Sequence, residues 1–258
     1  MRISTVQSKL VWEDKAANLS HFEKMIAPLA GKTDLVLLPE MFSTGFTMNP
    51  EKIAETMDGK SVDWMREQAA KLNAVICGSL VLEEDKKYFN RLVWMRPDGS
   101  FETYDKRHLF TLAGEHIHYQ AGTTKLIVEL NGWKICPLVC YDLRFPVWSR
   151  NVEDYDLLIY LANWPQPRAH HWKSLLTARA IENQCYLAGV NRVGTDANNL
   201  QYQGDTSIID YAGNILYHAV DVEDVITLEL SKENLTNFRS KLNFLADRDT
   251  FEITREYL

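Results

Sequence analysis

Cys140 closes the apolar run KICPLV and is followed at once by the turn-like YDLRFP, so its thiol could be packing, a disulfide or metal partner, or a nucleophile. In a strand, Cys136 and Cys140 would stand ~13 Å apart at about 3.3 Å per residue, too far to bridge or to share one metal. Cys77, Cys136 and Cys185 lie in apolar surroundings and read as small buried hydrophobes. Cys140 differs because it sits where a strand gives way to a turn that enters a helix. That place is expected to expose the sulfur, aim main-chain N–H groups at it, lower its pKa and supply donors for an oxyanion. A cysteine nucleophile usually brings a histidine, and none of the seven here offers a signature. His21, His170 and His171 fall on helix surfaces and His218 in a hairpin. His108, His116 and His118 follow Lys106 without a Cys or acid at zinc spacing, so no metal is expected. A carboxylate and a lysine remain as partners. Glu40 follows LVLLP, Lys106 follows FETYD and Asn163-Trp164 follows DLLIYLA, all at predicted strand ends, where open α/β sheets form their ligand crevice.

The elements that must position these residues alternate. The strand ISTVQ leads into a helical stripe of Leu19, Phe22, Met25, Ile26 and Leu29 that stops at Gly31. LVLL is short and wholly apolar, as in a strand buried on both faces. A helix over 61–72 precedes the strands AVICGSLVLEE and RLVWMRPDGSFETYDK, the latter turning at Pro97-Asp98-Gly99, and TKLIVELNGWKICPLVC forms a hairpin at Asn131-Gly132. After Cys140 come a helix near Val147 to Val152, the strand DLLIYLA, the helix AHHWKSLLTARAIEN and the strand CYLAGVNRV. A hairpin at Ala212-Gly213-Asn214, the strand VITLEL and a C-terminal helix finish the pattern. Buried strands alternating with amphipathic helices predict an α/β fold with helices on both faces of β-sheet.

Composition narrows the class. The 258 residues, 46% hydrophobic, can bury a large core, and without a linker or low-complexity tract they read as one domain spanning 1–258. No run reaches membrane-span length, and the N-terminus MRISTVQSKLVWED lacks the marks of a secretory signal, so a cytoplasmic protein is expected. Four cysteines without a dense spacing pattern, in a chain this long, fit free thiols in a reducing compartment. A net charge of -7 without a basic block argues against a nucleic-acid surface and leaves a small molecule as the expected partner.

Three blocks carry a family resemblance: LLPEMFSTGF around Glu40, YDKRHLF around Lys106 and PLVCYDLRFP around Cys140. They resemble, in order, the signature blocks of the nitrilase, or carbon-nitrogen hydrolase, superfamily, and the likeness runs on through ARAIENQCYLAGVNRVG. FSTGF, AGEHIHY, RFPVWSRN and ANWPQPRAHHW further resemble the omega-amidases, which hydrolyse the terminal amide of 2-oxo acids. The resemblance implies a four-layer α-β-β-α sandwich, a Glu-Lys-Cys triad of Glu40, Lys106 and Cys140, a cysteine thioester, and no cofactor. Glu115 matches an additional acidic residue that orients the lysine or the water. Lys106 and the main-chain N–H of Tyr141 would form the oxyanion hole. A homodimer or larger even assembly is also implied, and the C-terminal NFLADRDTFEI reads as an extension toward a partner surface.

A 2-oxo acid carries a carboxylate, for which an arginine fork is the natural partner. Arg144, four residues after Cys140, and Arg168 are the candidates, with a structural ion pair to Asp142 or Glu182 as the alternative for Arg144. Phe42, Phe110 and Trp164 are expected around the carbon chain of the substrate. A nitrilase proper, an N-carbamoyl amidase, or a non-enzymatic binding protein of the same fold are the other classes these residues leave open.

Overall fold

The computed structural model describes residues 1–254, which form two β-sheets flanked by helices. In chain order the strands are β1 (Arg2–Gln7), β2 (Leu35–Leu37), β3 (Val75–Glu84), β4 (Lys87–Met95), β5 (Phe101–Asp105), β6 (Val128–Leu130) and β7 (Trp133–Val139), followed by β8 (Leu157–Leu161), β9 (Tyr186–Val190), β10 (Val193–Thr195), β11 (Gln201–Ile209), β12 (Ile215–Val220) and β13 (Asp224–Glu229). One sheet runs β13-β1-β2-β3-β4-β5. The other runs β10-β11-β9-β8-β7-β6, with β12 on β11. Each has three parallel strands at its centre, β1-β2-β3 and β7-β8-β9. Parallel neighbours need crossovers, which the helices Lys15–Ile26, Lys60–Leu72 and Ala169–Asn183 supply for three of the four pairs, the β7–β8 crossover running through the short turns Cys140–Arg144 and Pro146–Ser149.

Alternation along the strands sorts side chains between layers. Leu35, Leu37, Val75, Cys77, Leu92 and Trp94 belong, with Ile135, Leu138 and Leu157 of the other sheet, to one continuous core. Their neighbours Val36, Ile76, Val93 and Met95 face the opposite way, onto Phe22, Ile26, Met65 and Leu72 of the first two helices. On the far side, Trp172, Leu176 and Ala180 bring helix Ala169–Asn183 onto β9 and β11. Gly189 permits that close approach, because a Cβ there would fall 2.6 Å from the Leu176 side chain. The result is the expected helix–sheet–sheet–helix sandwich.

The Asn131-Gly132 hairpin forms as its sequence demands, with both residues at positive φ, 50° and 76°. Two elements differ from expectation. The helix near Val147 to Val152 is a single turn, Pro146–Ser149, because the Asn151 side chain is claimed by the main chain of Tyr155 and Asn183. The strand CYLAGVNRV breaks after Val190, where the Asn191 side chain bonds the Trp164 and Gly204 carbonyls instead of continuing the ladder. Among the described residues, no helix is long and apolar enough to cross a membrane.

Candidate active site

The loop after β2 carries Glu40, the residue after β5 is Lys106, and the one-turn helix Glu115–His118 begins with Glu115. All three side chains are fully buried. The Lys106 ammonium donates to Glu40 Oε1 at 2.9 Å and to Glu115 Oε2 and Oε1 at 2.8 and 3.0 Å. Glu40 Oε2 accepts the Asn163 main-chain N–H at 2.9 Å, and Glu115 Oε2 accepts that of Phe110 at 2.6 Å. Two carboxylates therefore share one ammonium out of reach of solvent. Burial works against the charged lysine, yet Glu115 and Glu40 outweigh it and hold its pKa above the ordinary value. Burial, reinforced by the charge of Glu40, raises Glu115 against the opposing pull of Lys106.

Cys140 opens a short 3-10 turn at the end of β7 with φ of 44°, a left-handed conformation that costs a non-glycine residue on the order of 1–3 kcal/mol. Asp142 holds that turn. Its Oδ2 accepts the Val139 N–H and the Tyr104 hydroxyl at 3.1 and 2.7 Å, and its Oδ1 accepts the His108 N–H and Nδ1 at 3.0 and 2.8 Å. Tyr104 and His108 flank Lys106, so one buried carboxylate ties the cysteine turn to the lysine loop. The expected lowering of the thiol pKa is overturned. Burial first, and the Glu40 carboxylate second, push Cys140 well above the usual thiol range, against Lys106 and the Asn163 N–H. Only 9% of the residue is exposed, so the turn does not present the sulfur freely to water. At rest Cys140 is a neutral thiol beside a carboxylate. Burial alone raises Cys77, and it dominates at Cys136 and Cys185.

Cys140, Lys106 and Tyr141 face a cavity of about 520 Å³ that Asn163, Trp164, Phe110, Arg144 and Arg168 also line. Arg144 lies over the Trp164 ring at 4.7 Å and contacts His171 Nδ1 at 3.2 Å. Arg168 lies over Phe110 at 5.3 Å. Neither guanidinium has a carboxylate partner among the described residues. The alternative ion pairs of Arg144 do not form, because Asp142 is filled by the donors above and Glu182 pairs with Arg179 at 3.0 Å. Phe42 is a correction. It is fully buried against Phe22 and Trp64, on the helix side of the first sheet rather than in the cavity. Phe46, Met48, Trp12 and Tyr202 supply aromatic and apolar lining instead. Sequence reading also missed Asn90, whose Nδ2 donates to Glu40 Oε1 at 2.8 Å and Glu115 Oε1 at 3.2 Å. An asparagine in the apolar strand FNRLVWM was its only signal.

A family model described as carbon-nitrogen hydrolase matches residues 2–240. The chain is similar to Omega-amidase YafV of Escherichia coli (strain K12), 48% identical over 255 residues that cover 98% of each chain. It is 32% identical to the 2-oxoglutaramate amidase of Bacillus subtilis (strain 168), over 95% of this chain and 96% of that one. Among solved structures, XC1258 from Xanthomonas campestris, a CN-hydrolase superfamily protein with an arsenic adduct in the active site, has a TM-score of 0.97 and 47% identity over 98% of this chain and 99% of that one. Matched along nearly its whole length by a family model and by relatives of this similarity, the chain belongs to the carbon-nitrogen hydrolase family.

Proposed function

We propose that the chain is an omega-amidase, hydrolysing the terminal amide of 2-oxo acid amides such as 2-oxoglutaramate and 2-oxosuccinamate to the 2-oxo dicarboxylate and ammonia. The observation that carries this reading is one cavity holding a thiol beside a buried Glu40–Lys106–Glu115 cluster and, on its wall, two arginines without carboxylate partners among the described residues. The names of the relatives in Escherichia coli and Bacillus subtilis support it.

Glu40 takes the Cys140 proton as the sulfur attacks the amide carbon. The developing oxyanion is met by the Lys106 ammonium and the Tyr141 main-chain N–H. Glu40 then passes its proton to the nitrogen, the C–N bond breaks, and ammonia leaves a Cys140 thioester. Water enters, gives a proton to Glu40 and attacks the thioester carbon. The second tetrahedral intermediate expels the thiolate, which recovers the proton and frees the acid. Glu115 holds Lys106 in place from the far side. A coupled ammonia assay across 2-oxoglutaramate, 2-oxosuccinamate, glutamine and simple aliphatic amides tests the substrate class. Preference for the 2-oxo acid amides supports it, and equal turnover of aliphatic amides, or turnover only of nitriles or N-carbamoyl compounds, contradicts it.

Arg144 and Arg168 bind the substrate carboxylate, with Trp164 and Phe110 beneath the two guanidiniums. A charged hydrogen bond is worth about 1.5–3 kcal/mol, so Arg144→Ala or Arg168→Ala should raise KM roughly 10- to 150-fold with kcat largely kept. Steady-state kinetics on 2-oxosuccinamate checks this, and an unchanged KM in both variants removes the arginines from the carboxylate site.

The protein works as a homodimer or larger even assembly in a reducing compartment such as the cytoplasm. Phe244, Phe251 and Ile253 of the C-terminal segment are 61%, 40% and 41% exposed, an apolar set that a second copy would cover. Sedimentation at micromolar concentration is expected to show the even assembly, and a monomer alone contradicts it.

A further inference from the structure

Asn90 lies in the middle of β4, opposite Val81 of β3, and is completely buried. One amide nitrogen there touches both carboxylates that flank Lys106. Among the described residues, no other uncharged side chain donates to both. Its main-chain carbonyl accepts the Lys106 N–H at 3.0 Å, so the same residue anchors the backbone of the lysine. Its Oδ1 is buried without a partner, an omission that costs about 1–3 kcal/mol. A valine or leucine at this strand position would pack without that cost. The benefit of asparagine must lie in Nδ2.

The electrostatics show what that benefit is. Glu40 and Glu115 carry two charges against one on Lys106, with no solvent contact, and the titratable groups facing them are Lys106, the Cys140 thiol and the Tyr119 hydroxyl. In such a cluster burial and the neighbouring Glu40 charge favour a proton on Glu115, as its raised pKa records. Donors that bond the ionised forms more strongly than the protonated ones oppose this. Lys106 is one such donor, the Asn163 and Phe110 main-chain N–H groups serve one carboxylate each, and Asn90 serves both.

We propose that Asn90 is a positioning residue whose amide holds the Glu40 and Glu115 oxygens aimed at Lys106, leaving Glu40 free to take the Cys140 proton. This rests on the reading of Glu40 as the base. The test compares parent, Asn90→Leu and Asn90→Asp in the pH dependence of kcat/KM for 2-oxosuccinamate, with melting temperature as the control for folding. Losing the donor favours the protonated carboxylates, so the acid limb should move to higher pH by about one unit in the leucine variant, and further in the aspartate variant, which adds a third negative charge. Below the midpoint of the parent, activity should fall about tenfold. An acid limb that stays in place in a folded variant, with only the plateau lowered, would make Asn90 a packing residue and overturn the inference. Should the leucine variant not fold, the isosteric aspartate variant decides alone. A parent that releases no ammonia would instead defeat the functional reading itself.

Discussion

Cys140→Ala and Cys140→Ser each lose ammonia release by on the order of 10³-fold or more, while the protein stays folded. The loss follows from chemistry available at one atom only. A thioester needs a thiol that faces both the cavity and a base, and among the four cysteines only Cys140 lines the cavity. Serine fits the space, but its hydroxyl parts with its proton far less readily, and the resting cysteine already holds its own proton tightly. Alanine at Cys77, Cys136 or Cys185 should instead leave turnover intact and cost about 1 kcal/mol of stability, since these sulfurs only pack. Ammonia release and thermal melting on the four alanine variants separate the two kinds of cysteine. Near-parent turnover without Cys140 would remove the nucleophile from the mechanism.

Glu40→Gln is the second large effect. A glutamine keeps the size of the side chain and an oxygen for the Asn163 N–H, but it cannot accept a proton. Because the proposed mechanism gives one carboxylate both thiol activation and water activation, the loss should reach about 10³-fold, within the range of general acid–base catalysis. Folding should survive, although the substitution places an amide near the Asn90 Nδ2 and Lys106 donors. Single-turnover kinetics with 2-oxosuccinamate provides the check. Both formation and hydrolysis of the acyl-enzyme should slow, and a variant that acylates at the parent rate would assign the first proton transfer to another group.

Much of this arrangement was legible in the sequence because strand ends are local events. LVLLP and KICPLV each announce a buried strand that stops, and FETYD a partly exposed one; of the residues after the stops, Lys106 and Cys140 line the cavity and Glu40 lies buried against Lys106. Helix Ala169–Asn183 and the Asn131-Gly132 turn follow from periodicity and from positive φ, both local properties. Long-range placement was less legible. Asn90 meets Glu40 from fifty residues away, and nothing in FNRLVWM says which carboxylate its amide faces. Phe42 lies two residues from Glu40, and the loop that turns it onto Phe22 and Trp64 is set by tertiary packing. The thiol was misjudged for the same reason. A turn N–H near a sulfur is a local feature, whereas burial and a carboxylate from the other sheet are global ones, and here they dominate.

Mass spectrometry of the protein quenched during turnover of 2-oxosuccinamate tests the central claim most directly, because the thioester is the one species that joins this cysteine to amide hydrolysis. The account predicts an acyl adduct on the peptide that contains Cys140, absent without substrate and absent from Cys140→Ala. An adduct on another cysteine, or undiminished ammonia release with no covalent species on Cys140, would contradict it.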